Sequence, residues 1–259
     1  MYKLIKVLTR LPILKRLIPS LYLSLMRLLK KNRGYFQIGE RKMFLDILEP
    51  IDKELVLNQC YEEEEINILK KLTKNYSAQY FFDIGANNGY YSIIFADLYK
   101  SLNIFSFEPN KDAYLKFINT LKVNKNLSDR IILYDYGLSD KKCIQKMRAK
   151  IKNGYVQSGG SRIHDNSLIS DIITFEGKFQ VADENYKIQN SKLIIKIDVE
   201  GHELNVLKGM VNIINQNSCI LQIEIFDENL YEINKFLNDN KFYKKHEIKK
   251  RSNYFYSNF

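Results

Sequence analysis

The sequence predicts an α/β fold in which a mostly parallel sheet carries helices on both faces and ends in an antiparallel hairpin. Short apolar runs of strand length alternate along most of the chain with segments whose apolar residues recur at helical spacing. That alternation is typical of parallel sheets, because parallel neighbours need a crossover connection that a helix usually supplies. The last two runs, 241–248 and 253–259, follow each other without an intervening helix and therefore predict the hairpin.

Each element follows from a local pattern. Residues 61–72 begin with acidic side chains and end with lysines, an order that suits the helix dipole. Residues 111–123 place apolar side chains at roughly helical spacing. The strands are apolar runs bounded by polar or glycine-containing turns. They are predicted at 80–84, 102–107, 131–134, 193–197 and 218–226, and further helices are predicted at 88–99, from 203 onward and at 230–237.

A single domain, 43–259, accommodates these elements, since 259 residues with 45% apolar content suffice for one sizeable core. Within it, 145–190 is the least regular part, with strand-like patches only at 172–175 and 178–181. A structureless loop of this length is unusual in a compact domain. We therefore expect short strands or a helix in this part, forming a cap over the site where a substrate binds.

Residues 1–42 form a basic amphipathic segment in which eleven Lys and Arg residues accompany one acid, Glu40. The longest uncharged run, 17–26, is about half of the roughly 20 residues needed to cross a bilayer. The segment also lacks the small-residue cleavage site of a signal peptide. The pattern fits peripheral contact of residues 1–33 with an anionic membrane surface, and equally a helix that packs on the rest of the chain or on a second subunit.

The net charge of +10 is not by itself a nucleic-acid signal. Lys, Asn and Ile recur throughout, a bias that indicates an A+T-rich bacterial genome and raises the Lys content of the surface. Cys60, Cys143 and Cys219 are far apart and have no metal-ligand spacing. We therefore expect a cytoplasmic protein with reduced thiols and no resident metal, peripheral at the inner membrane if residues 1–33 bind lipid.

The segment 81–90 indicates a strand, a tight glycine turn and a helix start. It lacks the first glycine of the dinucleotide fingerprint and carries Asp83 two residues before the turn. An acid at this position suits an ammonium group, which S-adenosylmethionine has and nicotinamide dinucleotides lack. The motif therefore favours a methyl donor over a hydride donor. The predicted cofactor contacts are Asp83 and the turn residues Gly85, Ala86, Asn87, Asn88 and Gly89.

Two further strand ends complete the predicted cofactor site. Glu108 ends the second strand about 20 residues after the glycine turn, where an acid accepts both ribose hydroxyls; the alternative is an ordinary exposed acid. The loop after the third strand approaches the adenine in a sheet of this type. Asp135 and Tyr136, followed by Gly137, are candidates for its exocyclic amine and its ring face, although a turn acid equally caps a backbone amide.

A second acidic cluster, Asp198, Glu200 and His202, directly follows the fourth strand. Transfer of a methyl group to a neutral hydroxyl is faster when a base removes the proton as attack proceeds. Each of the three is a candidate for that base, and Asp198 also for cofactor contact, while the alternative for Asp198 is helix capping. A divalent cation bridging Asp198, Glu224 and two substrate oxygens is possible but not favoured.

Taken together, these motifs resemble the FkbM family of S-adenosylmethionine-dependent methyltransferases. The resemblance covers roughly residues 60–226 and implies a class I methyltransferase fold, with a Rossmann-like sheet of seven strands. It also implies O-methylation of sugars or polyketide-like hydroxyls and leaves the acceptor open. The segments that carry the resemblance are 83–92, 107–109, 137–140 and 196–203, with the asparagines Asn119 and Asn124.

We therefore expect an S-adenosylmethionine-dependent O-methyltransferase that acts on a sugar hydroxyl of a bacterial surface glycan or its precursor, in polysaccharide biosynthesis. A nucleic-acid methyltransferase is less favoured. Base-methylating enzymes often carry an Asn/Asp-Pro-Pro-aromatic box where this chain has 198–201, and two acids there would repel phosphates. A small-molecule acceptor, or a cofactor-binding module without turnover, are the remaining alternatives.

Overall fold

The computed structural model describes residues 21–26, 28–152, 155–164 and 171–259. The chain divides into two compact units, Met1–Tyr61 and Glu62–Phe259, so the first unit extends beyond the basic segment 1–42. The predicted membrane contact of residues 1–33 falls largely outside the described residues. Among the described helices, none is long and apolar enough to cross a membrane.

The first unit contains a hairpin and a helix that the sequence patterns did not predict. Strands β1 (Arg33–Ile38) and β2 (Arg41–Asp46) pair in antiparallel fashion and precede helix α1 (Pro50–Asn58). The burial of β1 alternates between exposed and half-buried side chains until Ile38. Its apolar signal is therefore weak, which is why this strand escaped prediction.

The second unit has the predicted alternation of strands and helices. Its strands are β3 (Tyr80–Ile84), β4 (Asn103–Phe107), β5 (Ile131–Tyr134), β6 (Gly137–Leu138), β7 (Cys143–Lys152), β8 (Tyr155–Ile163), β9 (Ile172–Gln180), β10 (Lys192–Ile197), β11 (Ser218–Glu224), β12 (Tyr243–Ile248) and β13 (Asn253–Ser257). Its helices are α2 (Glu63–Thr73), α3 (Tyr90–Leu98), α4 (Lys111–Val123), α5 (Lys125–Ser128), α6 (Ala182–Asn185), α7 (Glu203–Lys208), α8 (Val211–Gln216) and α9 (Leu230–Asp239).

The main sheet has seven strands in the order β12-β13-β11-β10-β3-β4-β5. β13 pairs antiparallel with both neighbours, and the pairs among β11, β10, β3, β4 and β5 are parallel. The predicted fold class and terminal hairpin are therefore confirmed. The order reverses between β3 and β10, so the carboxyl ends of these two strands form a switch point, where open sheets of this kind bind ligands.

The antiparallel strand of the hairpin that joins the parallel strands, β13, does not lie at the edge of the sheet. β13 is buried along its whole length between β11 and β12, whereas most of β12 is exposed. The sequence of β12, which carries Lys244, Lys245 and His246, is typical of an edge strand, since charges there discourage pairing with another chain.

The irregular part 145–190 forms much of a second, four-stranded sheet with the order β6-β9-β7-β8. The two predicted patches at 172–175 and 178–181 are one strand, β9, which runs through Gly177. The predicted helix from 203 onward is divided into α7 and α8. Gly209 separates them, where a Cβ atom would lie 2.0 Å from the carbonyl oxygen of Ser139.

Helices cover both faces of the main sheet. On one face Phe82 and Ile195 join a fully buried cluster with side chains of α7, α8 and α9. On the other face Phe81 packs against Phe95 of α3, with ring centroids 5.0 Å apart. The same face carries a polar row, because the register pairs Lys196 of β10 with Asp83 on one side and Gln222 on the other.

Candidate active site

The switch point brings the loop after β3 into backbone contact with the turn after β10. Gly85 has a φ of 81°, and a Cβ atom at this position would lie 1.8 Å from the carbonyl oxygen of Asp198. The amide of Asp198 donates to the carbonyl oxygen of Ile84 at 3.1 Å. The two predicted motifs therefore meet, and a glycine is required where they do.

The glycine turn wraps onto Glu108. Gly85, Asn87 and Gly89 have positive φ values of 81°, 49° and 83°, with the intervening residues outside that region. Such alternation can turn successive amides toward an anionic group. The Asn87 amide donates to Glu108 Oε2 at 2.8 Å, and the Asn110 amide donates to Oε1 at 2.8 Å. The remaining turn residues form hydrogen bonds with neighbouring backbone groups. Ala86 N donates to Phe107 O, and Asn88 Oδ1 accepts from Tyr90 N at the start of α3.

Glu108 is 7% exposed and sits at the end of β4, as predicted. Burial raises its pKa to about 7, although the two amides stabilise the charged form and act in the opposite direction. Each carboxylate oxygen accepts one backbone hydrogen bond and retains a second lone pair for a hydroxyl. The carboxylate is thus held in one orientation with acceptor capacity left for a ligand.

Asp83 is fully buried under the glycine turn. Its Oδ2 accepts hydrogen bonds from the amide and the hydroxyl of Ser92 at the start of α3. Its Oδ1 has no hydrogen-bond partner among the described residues. Burial raises the pKa of Asp83, while the charge of Lys196 opposes that shift. Any contact of Asp83 with an ammonium group depends on this second oxygen, and that contact stays a prediction.

The residues predicted for the adenine contact the second sheet and Tyr186, which follows helix α6. Asp135 is exposed and forms an ion pair with Lys178 of β9, with 3.3 Å between Oδ2 and Nζ. The Tyr136 hydroxyl lies 3.0 Å from that of Tyr186. Gly137 opens β6, where a Cβ atom would lie 2.8 Å from the Phe179 ring. Their contacts with adenine stay predictions.

Three carboxylates converge at the ends of β10 and β11. One oxygen each from Asp198, Glu200 and Glu224 lie within 4.8 Å of one another. Burial and the neighbouring Asp198 raise the pKa of Glu224 well above its ordinary value, so Glu224 holds a proton at neutral pH. Glu200 has a φ of 56°, an uncommon value for a residue with a side chain and one that clusters at functional sites.

Lys196, which the sequence analysis did not single out, supplies the positive charge beneath this cluster. Its Nζ lies 2.9 Å from Asp198 Oδ2, and its side chain is 5% exposed against 30% for Asp198. The ammonium also lies 4.9 Å from the ring centroid of Tyr91. Burial alone would lower the pKa of Lys196, but Asp198, Asp83 and Glu62 together raise it. A lysine inside an otherwise apolar strand was the available signal, since buried lysines are almost always paired.

Glu200 has the environment of a base that works near neutral pH. Burial, Asp198 and Glu203 raise its pKa to about 7, while Arg162 and Lys150 oppose the shift. The pKa of an effective general base lies near the working pH. The Glu203 carboxylate accepts from the amide of Gly201 at 2.9 Å and so holds the turn that presents Glu200.

His202 is turned toward the second sheet. Its Nε2 lies 2.9 Å from Ser139 Oγ, and its ring packs edge-on against Phe179 at 5.6 Å between centroids. Burial lowers its pKa to about 4, so the imidazole is neutral at physiological pH. Its role as the base stays a prediction, but its contacts favour Asp198 or Glu200 for that role.

The three carboxylates are also a candidate cation site among the described residues. Oxygen ligands of this kind suit a hard divalent ion. Lys196 and the proton on Glu224 already compensate part of their negative charge. The expectation of no resident metal stays a prediction.

Comparisons with known proteins identify a matching family and a similar curated protein. A family profile described as Methyltransferase FkbM domain matches residues 83–248. The hexuronic acid methyltransferase AglP of Haloferax volcanii is 29% identical over 147 residues, which are 55% of this chain and 54% of that protein. The chain therefore spans about half the length of the curated relative that it matches.

Two solved structures are similar at low identity. The FkbM methyltransferase of Methylobacillus flagellatus is 17% identical with a TM-score of 0.48, over 70% of this chain and 44% of that one. The N-terminal domain of human METTL16, solved in complex with SAH, is 13% identical with a TM-score of 0.41, over 74% of this chain and 67% of that one.

Proposed function

We propose that this chain, which belongs to the FkbM methyltransferase family, transfers a methyl group from S-adenosylmethionine to a sugar hydroxyl of a glycan or glycan precursor. The observation that carries the proposal is the contact between the two motifs at the switch point. The loop that holds Glu108 and the turn that carries Asp198 and Glu200 meet at Gly85. A donor bound on the first would lie beside the acids of the second.

The residues of the first motif fit S-adenosylmethionine. Glu108 has lone pairs available for two ribose hydroxyls, and its orientation is fixed by two amides. Asp83 Oδ1 and Asn87 Oδ1 are buried oxygens without a hydrogen-bond partner among the described residues. Buried oxygens in this state are costly unless a ligand donates to them. An ammonium group, which only donates hydrogen bonds, is one group that would satisfy them.

Bound S-adenosylmethionine supplies an activated methyl group, so this chain has to orient the acceptor oxygen and remove its proton. Asp198 and Glu200 lie at the carboxyl edge of the sheet with one oxygen each in the three-carboxylate cluster. Lys196 fixes the Asp198 carboxylate by an ion pair at 2.9 Å. We assign proton removal to Asp198 or Glu200, and positioning of the cluster to Lys196.

A glycan acceptor is supported by two points. The curated relative is named as a methyltransferase of hexuronic acid, a sugar acid. The acids at the reaction centre repel the many phosphates of a nucleic acid more strongly than a sugar that carries at most one anionic group. We therefore favour a glycan over a nucleic acid as the acceptor.

The cofactor assignment is tested by calorimetric titration with S-adenosylhomocysteine. We expect micromolar binding by the wild type and a loss of roughly 100-fold in Glu108→Ala. One hydrogen bond to a charged acceptor is worth about 1.5–3 kcal/mol, so the loss of two accounts for an effect of at least this size. The control is Glu232→Ala on the exposed side of α9, which should bind like the wild type. No binding by the wild type would refute the proposed function.

Glu200 predicts a pH dependence. Because its pKa is raised to about 7, its basic form is lost as the pH falls through 7. If Glu200 removes the proton, the transfer rate rises about tenfold per pH unit below 7 and levels off above it. The rate–pH profile of Glu200→Gln should lack this limb, whereas Glu176→Gln, on exposed β9, should keep it. If the rate of Glu200→Gln still rises with pH below 7, another group is responsible for the pH dependence.

A further inference from the structure

Strands β7 and β8 bring three basic residues close to one another in the second sheet. Arg148 of β7 is directly opposite Arg162 of β8 in the register, and Lys150 follows on β7. Arg148 is only 3% exposed. Like charges directly opposite each other destabilise a strand pair, and Arg148 has a partner in the structure.

Two of these cations act on Glu200 without touching it. The charges of Arg162 and Lys150 oppose the rise of the Glu200 pKa, so both groups lie within electrostatic range of its carboxylate. Neither forms an ion pair with Glu200 among the described residues. The side chain of Arg162 also has no hydrogen bond to any residue that the structure describes. Both cations therefore lie near the Glu200 carboxylate, and neither is paired with it among the described residues.

An irregularity in β8 lies next to the loop after β4, which contains Glu108 and Asn110. Arg148 pairs with Arg162 but Lys150 pairs with Gln157, so residues 158–161 bulge out of the ladder. Bulges of this kind occur next to active sites, where they redirect side chains. The Asn110 side chain donates to Ser161 Oγ at 2.8 Å, and the Asn110 amide donates to Glu108. Arg162 therefore directly follows Ser161, which is connected through Asn110 to Glu108, the candidate for binding the ribose.

We propose that Arg162, together with Lys150, binds a negatively charged group of the acceptor, a carboxylate or a phosphate attached to the sugar that is methylated. A guanidinium binds such oxyanions through two parallel hydrogen bonds. The acids of the cluster would repel an anionic acceptor, and the two cations offset that repulsion on the opposite side. The inference rests on the proposed function, because it assigns specificity within the same site.

The test titrates the full-length protein, saturated with S-adenosylhomocysteine, with three sugars that share a glucose ring. Methyl glucoside is neutral, methyl glucuronide carries a carboxylate and glucosyl phosphate carries a phosphate. We expect at least one anionic sugar to bind about tenfold more tightly than methyl glucoside, because charge-assisted hydrogen bonds are about twice as strong as neutral ones. The preferred sugar distinguishes a sugar acid from a phosphate-linked precursor.

Arg162→Gln and Lys150→Gln should each abolish most of this preference, and Arg162→Lys should retain part of it. Lys142→Gln, an exposed lysine that precedes β7, removes the same charge and should preserve the preference. Every variant is also titrated with S-adenosylhomocysteine, whose affinity should not change. Anionic sugars that bind no better than the neutral one, or a preference that survives in Arg162→Gln, overturn the inference. If the wild type does not bind S-adenosylhomocysteine, the proposed function is refuted instead.

Discussion

Replacing Asp198 by asparagine is expected to lower kcat by roughly 10³-fold, within the range of about 10²–10⁴ that a positioned general base contributes. The asparagine is close in shape and its side-chain oxygen still accepts from Lys196 Nζ, which lies 2.9 Å from the present carboxylate. The buried lysine therefore keeps a hydrogen bond, and the fold should survive. The measurement is the rate of methyl transfer to the acceptor identified in a glycan panel, with the affinity for S-adenosylhomocysteine determined in parallel.

Asp227→Asn is the matched control, since Asp227 is exposed just beyond β11 and its replacement removes the same charge. We expect it to leave kcat and cofactor affinity unchanged. A fall in S-adenosylhomocysteine affinity without a fall in kcat would assign Asp198 to cofactor binding and contradict its role as the base. A parallel series with EDTA should show full activity, and inactivation by EDTA would establish a required cation at the three carboxylates.

Gly85→Ala is expected to affect both folding and binding. At a φ of 81° an alanine is strained by roughly 1–3 kcal/mol. Its Cβ atom would also lie 1.8 Å from the Asp198 carbonyl oxygen, so the two backbones would have to separate. We expect the free energy of unfolding to fall by about 3 kcal/mol and S-adenosylhomocysteine binding to be lost.

Chemical denaturation and calorimetric titration measure the two effects of Gly85→Ala. Gly34→Ala is the control, because a Cβ atom at Gly34 meets no atom within 4 Å and its φ is not positive. This control should change the free energy of unfolding by less than about 0.5 kcal/mol. Wild-type binding in Gly85→Ala would show that the contact between the two motifs is not needed for the cofactor site.

Local patterns predicted the parts of the fold whose apolar residues form clear runs or recur at a regular spacing. The bounds of β3, α4 and β5 agree with the predicted ranges, because these are apolar or amphipathic runs with clear turn signals at their ends. β7 and β8 were missed because their sequences mix lysine, arginine, glutamine and glycine with a few apolar residues. The insertion of β13 between β11 and β12 depends on long-range pairing, which local periodicity does not encode.

The sequence likewise predicted some residues of the candidate site but not their partners. Glu108 and the acids after β10 were predicted from their positions at strand ends, which the order of elements determines. Their partners were not, since the amides of Asn87 and Asn110 reach Glu108 only through the particular course of two loops. Lys196 was visible as a charged residue between Ile195 and Ile197, but its role became apparent only from the distance to Asp198.

The first and last strands of the second sheet along the chain, β6 and β9, pair with each other. Gly137 and Leu138 of β6 pair in parallel with Phe179 and Gln180 of β9, and Ser139 N donates to Gln180 O at 2.9 Å. Main-chain hydrogen bonds thus join the two ends of the segment 137–180. Lengthening or exchanging the chain between them costs little closure entropy, which grows only with the logarithm of loop length. We therefore expect changes of length or sequence within this segment to leave the seven-stranded sheet intact.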